Sequence, residues 1–299
     1  MRPFISVIIP VFNDCARLGI CLAALSRQSY PKDCTEIVVV DNGLNDGIEL
    51  LVKQYSSVIL IKEVKPGSYS ARNAGIARAQ GEVIAFTDAD CIPGDDWIEK
   101  GVSRLTGTSG CGLVTGDLEL FFKNPQKPTP VELFCDSFSE GRESILKEVR
   151  WGATANIFTY REVINRVGRF NEVLKSGGDF EWGNRVFLSG FTLLHAPEVK
   201  VRHPARNSFS QLYWWHTRLI GGMFFLNKYN GKLWKLDLPQ QPSFGAQCQR
   251  ELLYIKQVLR SKKHKEAQEK CCILLVWFLA KGIKVIETIR LSWGGRPKR

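Results

Sequence analysis

Two acidic residues one position apart, Asp88 and Asp90, follow the apolar run Val83–Phe86. Such a run, preceded by Gly81, predicts a buried strand of a parallel sheet. Ligands of open α/β sheets bind at the carboxyl ends of the strands. Two neighbouring carboxylates repel each other there unless a cation joins them, and Mg²⁺ or Mn²⁺ commonly bridges such acids to phosphates. The pattern therefore indicates a metal and phosphate site, although a solvated turn can look the same.

Two further segments predict contacts with a nucleotide. Asp41 ends the apolar run Glu36–Val40, where a carboxylate can accept hydrogen bonds from a base or a ribose hydroxyl. The segment Gly67–Gly75 opens a predicted helix whose backbone N–H groups attract phosphate, and Arg72 adds a charged donor. An ordinary Asp-Asn-Gly turn and an ordinary capped helix remain the alternatives for these two segments.

The elements that position these residues alternate along the first hundred residues. Apolar runs and helical periodicity predict strands at Ile5–Ile9, Glu36–Val40, Val58–Lys62 and Val83–Thr87, and helices at Arg17–Ser26, Ile48–Tyr55, Ser70–Ala79 and Trp97–Leu105. This alternation predicts a parallel sheet with right-handed crossovers. The ends of the first, second and fourth strands then share one edge, which groups Asp41 and Arg72 with the acid pair.

The pattern is mixed after residue 107. It predicts strands at 113–122, 151–159 and 193–203, and helices at 131–149, 161–167, 179–189 and 208–229.

The N-terminal apolar stretch stops at Pro10 and lacks the core of a signal peptide. The nine cysteines include no Cys-x-x-Cys pair, so neither a zinc site nor a disulfide framework is indicated, and a reducing cytosol fits best.

The net charge of +11 over 299 residues is unevenly distributed. Residues 1–227 hold 25 basic and 25 acidic side chains, whereas residues 228–299 hold 16 basic and 5 acidic ones. This asymmetry predicts two functional parts, residues 1–227 and residues 228–299. Residues 228–299 are predicted to form a basic, amphipathic helical extension.

The extension contains ten consecutive apolar residues, Cys271–Ala280, which are interrupted afterwards by Lys281, Lys284, Glu287 and Arg290. A bilayer span needs about twenty apolar residues, so the segment is too short to cross a membrane. A helix lying on an anionic membrane surface through residues 260–299 fits better. The alternative is a helix that packs on the catalytic body or on a second subunit.

Five ordered segments resemble the family 2 glycosyltransferases, which have the GT-A fold. The resemblance covers roughly residues 4–206, and the segments are Val7–Asn13, Ile37–Gly43, Ala71–Gly75, Phe86–Asp90 and Gly177–Asp179. It implies a Rossmann-like, mostly parallel central sheet flanked by helices. It also implies a catalytic domain at 1–227, with a nucleotide-binding half at about 1–106 and an acceptor-side half at about 107–227. It also implies an inverting enzyme of polysaccharide biosynthesis that uses a nucleotide-sugar donor, by family habit a UDP-sugar, with Mn²⁺ or Mg²⁺ as cofactor. The acceptor would be a saccharide or a glycolipid.

The resemblance also implies roles for single residues on the donor side. Asp90 would bind the metal, Asp88 would face the metal and the nucleotide, and His203 is a candidate additional ligand. The remaining donor-side residues by this resemblance are Pro10, Val11, Phe12, Asn13, Asp41, Arg72 and Asn73.

Inversion needs a base on the acceptor side, which the family usually supplies from Glu-Asp at a helix start. Here Gly178 takes the position of the glutamate, and Asp179 keeps that of the aspartate, six residues before Arg185. Asp179 is therefore the expected base, and Glu181 is its rival. The expected acceptor-side residues are Trp151, Gly152, Ala153 and Trp182.

Other classes of protein were weighed against this interpretation. A nicotinamide-dependent oxidoreductase would place Gly-x-Gly-x-x-Gly after the first strand, where this chain has Pro10–Asp14. A nucleotidyltransferase would use the same nucleotide and metal site. A non-catalytic nucleic-acid-binding protein would use the basic tail, but the neutral body and the lack of a motif argue against a nucleic-acid partner. The expected location is the cytosolic face of a membrane, with peripheral attachment, and a homo-oligomer is possible.

Overall fold

The computed structural model describes residues 2–43, 47–138, 150–230, 236 and 244–297. In chain order, the described strands are β1 Ile5–Val11, β2 Thr35–Asp41, β3 Val58–Lys62, β4 Val83–Phe86, β5 Ile92–Pro93, β6 Cys111–Phe121, β7 Ile157–Tyr160 and β8 Thr192–Pro204. The α-helices are α1 Cys15–Leu25, α2 Ile48–Val52, α3 Ser68–Arg78, α4 Trp97–Gly107, α5 Pro130–Ser137, α6 Arg161–Val167, α7 Gly178–Leu188, α8 Phe209–Tyr229, α9 Phe244–Arg260 and α10 Ala267–Ser292.

The chain forms two compact units. The first comprises Met1–Glu119 and Arg142–His203, and the second comprises Leu120–Gly141 and Pro204–Arg299. The predicted division after residue 227 differs from this one. It would place most of α8 in the first part of the chain, whereas the whole of α8 lies in the second compact unit. Residues 139–149, part of the predicted helix at 131–149, lie outside the described residues.

The first unit is built on one mixed sheet with the strand order β3-β2-β1-β4-β7-β6-β8-β5. Strands β3, β2, β1 and β4 are parallel, and β7 runs antiparallel to both β4 and β6. Strand β6 therefore runs in the same direction as these four strands. The five strands of one direction confirm the predicted mostly parallel sheet. Val11 pairs with Asp41 and Ile8 pairs with Phe86, so β1, β2 and β4 end at the same edge.

Helices cover both faces of the parallel strands. Alternate residues of β1 point to opposite faces of the sheet, so they pack against different helices. Val7 and Ile9 join a buried cluster with Leu18 of α1 and Trp97 of α4. Ile8 points the other way, toward α3. A Cβ atom on Gly75 would lie 2.4 Å from Ile8 Cγ2, so only glycine lets α3 approach the sheet this closely. Helix α3 is thereby packed at Gly75 against Ile8 of β1 and Val40 of β2.

The second unit is helical in its described residues. A capping box joins Thr129 and Glu132 at the start of α5, and Pro130 takes the first helical position. Helices α5, α8 and α10 share a core of Val131, Phe134, Leu212, Val276, Trp277 and Ala280. A smaller cluster joins α9 to this core through Val258, Leu133 and Ile273. Among the described residues, no helix is long and apolar enough to cross a membrane.

Candidate active site

The acid pair lies directly after β4, as the sequence predicts. Side-chain ligand atoms of Asp88, Asp90, Cys91 and His203 all lie within 4.8 Å of one another. His203 reaches this group from a distant part of the chain because β5 pairs with β8, with Ile92 opposite Arg202. The pairing of a two-residue strand thus brings the predicted imidazole beside the predicted carboxylates.

Charged groups of both signs surround Asp90. Its carboxylate lies 3.5 Å from Arg17 Nη1 and 3.7 Å from His203 Nε2. Burial raises the pKa of Asp90, while His203 and Arg17 oppose that increase and the neighbouring Asp88 adds to it. A partly buried acid with a second acid beside it is an arrangement that a cation stabilises.

The donor set fits a hard divalent cation. Asp88 and Asp90 supply carboxylate oxygens and His203 supplies an imidazole nitrogen, which are ligand types suited to Mn²⁺ or Mg²⁺. Cys91 is fully buried, and burial together with the two acids raises the pKa of its thiol well above the ordinary value. A protonated thiol is a poor metal ligand, so the fit rests on the other three side chains.

Arg72 fixes the orientation of Asp88. It lies one turn after the start of α3, is buried, and donates from Nη2 to Asp88 Oδ1 in an ion pair. Its guanidinium lies 5.9 Å from the ring centre of Tyr69, within cation–π range. The buried Nε of Arg72 has no hydrogen-bond partner in the described part of the chain. An anionic ligand at this edge would find a charged donor already in place.

The end of β2 and the start of α3 are tied together by Asn42. Its side-chain amide donates to the carbonyl of Lys65 at 2.8 Å and accepts from the N–H of Gly67 at 2.8 Å. Asp41 is buried and accepts from the N–H of Gly43 at 2.9 Å. Sequence reasoning predicted Asp41 but missed the positioning role of Asn42, for which the only signal was the Asp-Asn-Gly turn.

The segment after β1 lies at the same edge. Val11 is buried within the sheet, Pro10 is half-buried, and the ring of Phe12 is 68% exposed. Asn13 has a φ of 49°, and a Cβ atom on Gly43 would lie 2.2 Å from Asn13 Oδ1. The predicted segment Pro10 to Asn13 and the turn after Asp41 are therefore packed side by side.

The predicted base, Asp179, lies in the first turn of α7, which follows Gly177 with its positive φ of 77°. Asp179 Oδ1 accepts from the N–H of Phe180 at 3.0 Å and lies 3.5 Å from the hydroxyl of Tyr69. Burial raises the pKa of Asp179, while the Phe180 N–H and the charge of Arg72 oppose the increase. Asp179 is thus within the electrostatic reach of the arginine that orients Asp88.

Tyr69 explains why glycine stands at position 178. The Tyr69 hydroxyl accepts from the N–H of Gly178 at 2.8 Å, and a Cβ atom there would lie 2.6 Å from Tyr69 Cζ. The ring therefore takes the space that a larger residue would need. Sequence reasoning missed Tyr69, because an aromatic side chain at a helix start is equally typical of a core.

Glu181, the rival of Asp179, is occupied elsewhere. Its side chain is buried, and its two carboxylate oxygens accept from Arg185 Nε at 2.7 Å and Nη2 at 3.0 Å. Arg185 Nη2 also donates to the carbonyl of Arg169 at 2.7 Å. This buried ion pair ties α7 to the segment that precedes it.

Asn73 and Trp182 are also engaged with backbone. Asn73 donates to the carbonyl of Phe170 at 2.8 Å and accepts from its N–H at 3.0 Å. Trp182 is buried against the ring of Phe170 and donates to the carbonyl of Gly168 at 3.0 Å. In the described structure, both side chains fix the segment before α7 and do not line an open surface.

The predicted acceptor-side segment packs against α7. A Cβ atom on Gly183 would lie 3.1 Å from Trp151 Cα, so glycine allows the segment to approach the helix. Gly152 is buried against Thr115, and a Cβ atom there would lie 2.5 Å from the threonine side chain. Trp151 and Ala153 are half-buried beside the helix that carries Asp179.

A mostly parallel sheet with paired carboxylates at its carboxyl edge is the arrangement of the GT-A glycosyltransferases. The model of the family described as Glycosyl transferase family 2 matches residues 6–168. The glycosyltransferase AglE of Haloferax volcanii is 40% identical over 242 residues, which cover 79% of this chain and 75% of AglE. The chain belongs to glycosyl transferase family 2 and is a glycosyltransferase.

Two solved structures share the fold. The mannosyltransferase PcManGT from Pyrobaculum calidifontis, solved in complex with GDP-Man and Mn²⁺, superposes with a TM-score of 0.64 at 18% identity, covering 98% of this chain and 88% of that one. TarS of S. aureus superposes with a TM-score of 0.53 at 17% identity, covering 95% of this chain and 49% of TarS. At these identities the likeness confirms the GT-A fold and carries no statement about substrates.

Proposed function

We propose that the enzyme transfers a sugar, with inversion, from a nucleoside diphosphate donor to an acceptor hydroxyl, and that Asp179 is the general base. The observation that carries the proposal is a continuous series of contacts across the first unit. Asp88 pairs with Arg72, Arg72 lies over the ring of Tyr69, and Tyr69 contacts Asp179. This series supports the proposal that an acid pair suited to a metal diphosphate and a carboxylate suited to an acceptor act in one site.

On the donor side, Asp88, Asp90 and His203 would hold Mn²⁺ or Mg²⁺, which when bound neutralises charge on the departing diphosphate. Arg72 holds Asp88 in place and offers positive charge at the start of α3. Asp41 and the segment from Pro10 to Asn13 would hold the nucleoside. The exposed ring of Phe12 offers a flat apolar face for a base.

On the acceptor side, a hydroxyl would lie between Asp179 and the segment from Trp151 to Ala153. The acceptor oxygen forms a bond to the anomeric carbon as the bond from that carbon to the diphosphate oxygen breaks. The hydroxyl proton passes to Asp179, and the nucleoside diphosphate leaves. The raised pKa of Asp179 makes its carboxylate a stronger base than an exposed aspartate. Glu181 is not proposed for this step, because both of its oxygens are bound to Arg185.

Family habit favours UDP as the nucleotide, and the GDP-Man bound to PcManGT makes GDP the second candidate. We propose a saccharide or lipid-linked acceptor, with the enzyme attached peripherally to the cytosolic face of a membrane. Asp179 lies in the first unit, and the basic residues expected to contact a membrane lie in the second. The two parts of the proposal can therefore be tested separately.

Incubation of the protein with a panel of UDP- and GDP-sugars and Mn²⁺ tests the reaction. We expect slow hydrolysis of one donor, with release of free sugar and nucleoside diphosphate in equal amounts. The Asp179→Asn variant should keep donor binding but lose transfer to an acceptor. Exchange of labelled diphosphate into the donor would instead identify a nucleotidyltransferase and contradict the proposal.

A further inference from the structure

One face of α10 is apolar from Cys271 to Ile289 and exposed to solvent. We call this face the apolar stripe, and it consists of Cys271, Leu275, Phe278, Leu279, Gly282, Val285, Ile286 and Ile289. Its six large aliphatic or aromatic side chains are each 46–69% exposed. The spacing of three and four residues places all eight residues within about 120° of the helix circumference. The next residue on this face, Trp293, is 87% exposed.

The opposite face of α10 is already packed. Ile273, Val276, Trp277 and Ala280 are buried in the core of the second unit. The apolar stripe is therefore additional to the face that holds the helix in place. Monomeric soluble proteins rarely expose a contiguous apolar surface of this kind, and such surfaces mark interaction sites.

Charged residues border the stripe but do not interrupt it. Lys281 pairs with Glu251, and Arg290 pairs with Glu287, so these cations of α10 are matched within the second unit. Helix α9 exposes Leu252, Leu253 and Leu259 together with the cations Lys256 and Arg260. The connection from α9 to α10 exposes Lys262 and Lys265. The unit thus combines exposed apolar side chains with a large excess of positive charge.

We propose that the apolar stripe of α10 docks into the surface of an anionic lipid bilayer, with the helix lying in the plane of the membrane. An apolar face beside basic residues is typical of interfacial helices. The stripe from Cys271 to Ile289 is about 27 Å long, which suits contact along the surface. Trp293 extends it with a side chain that is enriched at membrane interfaces. This inference rests on the peripheral attachment proposed above and assigns it to one face of α10. Because the site needs no nucleotide, its failure would leave the proposed reaction untouched.

A second copy of the chain is the main competing occupant, because Cys271, Leu275, Phe278, Gly282, Val285 and Ile289 repeat at alternating spacings of four and three, as in a coiled coil. Two features favour lipid instead. Gly282 would leave a gap in the middle of a packed seam, whereas fluid acyl chains fill such a gap. Two copies would also bring together two C-terminal segments that each hold 16 basic and 5 acidic residues.

Vesicle flotation of the full-length protein tests the proposal. We expect the protein to float with vesicles of mixed phosphatidylglycerol and phosphatidylcholine, and to float at least tenfold less with phosphatidylcholine alone. A Phe278→Asn and Ile286→Asn double variant should bind the anionic vesicles at least tenfold more weakly. Both side chains are exposed, so the melting temperature should not fall.

The matched control is the Thr288→Asn and Ser292→Asn double variant, which changes two exposed residues of α10 outside the stripe without changing charge. It should bind vesicles like the wild type. Equal binding by the stripe variant and the wild type would overturn the proposal. The proposal would also be overturned if the wild type did not bind vesicles and sedimented as a dimer while the stripe variant sedimented as a monomer. That result would assign the stripe to a second copy.

Discussion

The hydroxyl of Tyr69 contacts the start of α7 at Gly178 and Asp179, where the proposed reaction needs a correctly placed base. It accepts from the N–H of Gly178 at 2.8 Å and lies 3.5 Å from Asp179 Oδ1. Its ring lies beside Arg72, which holds Asp88. A side chain that touches the base but not the reacting atoms is a positioning residue, and its removal should affect the rate more than donor binding.

We therefore expect Tyr69→Phe to lower kcat about tenfold to a hundredfold, because a general base contributes about 10²- to 10⁴-fold and the variant keeps a base that is less well placed. The KM of the donor should change little. Loss of a donor to the ionised carboxylate also raises the pKa of Asp179. The acid limb of the rate profile should therefore move to higher pH. Steady-state kinetics across pH measure both effects.

The control for this variant is Tyr160→Phe, which removes a hydroxyl that donates to the carbonyl of Leu105 in the same unit. It should leave kcat and the acid limb unchanged. If Tyr69→Phe left both kcat and the pH profile unchanged, Tyr69 would not position the base, and the proposed role would be wrong.

Asp179 itself should limit stability at neutral pH. Its pKa is raised in the folded protein, chiefly by burial, so ionisation costs folding free energy above the ordinary pKa of aspartate. Asp179→Asn should therefore be more stable than the wild type near pH 7.5, and the difference should disappear as the pH falls below about 4. Denaturant unfolding at the two pH values measures this. If the variant and the wild type were equally stable at both pH values, the pKa of Asp179 would not be raised in the folded protein, which would contradict this account.

The residue types of the site could be predicted from the sequence, but their partners could not. Asp88, Asp90 and His203 were predicted as a group, and the structure brings their ligand atoms together. Asn73 and Glu181 carry equally suitable chemistry, yet the structure commits them to Phe170 and Arg185. Those contacts join segments about 100 residues apart in one case and one helical turn apart in the other. Neither follows from residue type alone.

At the scale of elements, the starts of α3 and α7 decide the geometry. The alternating strands and helices of the first hundred residues could be predicted, because buried parallel strands read as apolar runs. Strand β5 could not be predicted, since two residues have no periodicity. Its pairing with β8 nevertheless brings His203 to the acid pair. Helix α9 lies within the predicted helical extension, but its bounds could not be predicted, since its leucines are interleaved with exposed charged and amide side chains.

Replacement of Glu181 by glutamine separates a structural role from a catalytic one. The change leaves Arg185 without its buried carboxylate partner. Loss of one member of a fully buried pair costs about 3–5 kcal/mol, and the loss here should be smaller because the Arg185 side chain is 24% exposed. We expect a clear fall in the free energy of unfolding, with activity of the remaining folded enzyme largely kept. A stable variant without activity would make Glu181 the base in place of Asp179.

The close packing of α3 on α7 predicts a steric effect at Gly178. Alanine there would press against the Tyr69 ring, and overpacking of this kind typically costs about 1–3 kcal/mol. Thermal unfolding measures the loss. Gly107→Ala is the matched control, because a Cβ atom there meets nothing within 4 Å. Equal melting temperatures for the two variants would show that Tyr69 moves aside freely.

At the scale of the whole molecule, the charge distribution and the compact units divide the chain at different places. The excess of basic residues begins near residue 228, whereas the second compact unit begins again at Pro204 and also includes Leu120–Gly141. Charged residues lie mostly at the surface of a unit, so their distribution does not show which segments share a core. The core is formed by apolar contacts between segments that are distant in the sequence. Leu212 of α8 and Val131 of α5 share such a core with α10.

The central claim is that the acid pair binds a nucleoside diphosphate through a divalent cation. Calorimetric titration of UDP and GDP, with and without Mn²⁺, tests it most directly in the wild type, Asp90→Asn and Asp117→Asn. Asp117 is the control, because it is a second carboxylate beside a histidine, His195, at 2.9 Å. We predict that Mn²⁺ tightens binding of one nucleotide at least tenfold, about 1.4 kcal/mol, in the wild type and Asp117→Asn but not in Asp90→Asn. Affinity that is independent of Mn²⁺ and unchanged in Asp90→Asn would contradict the account.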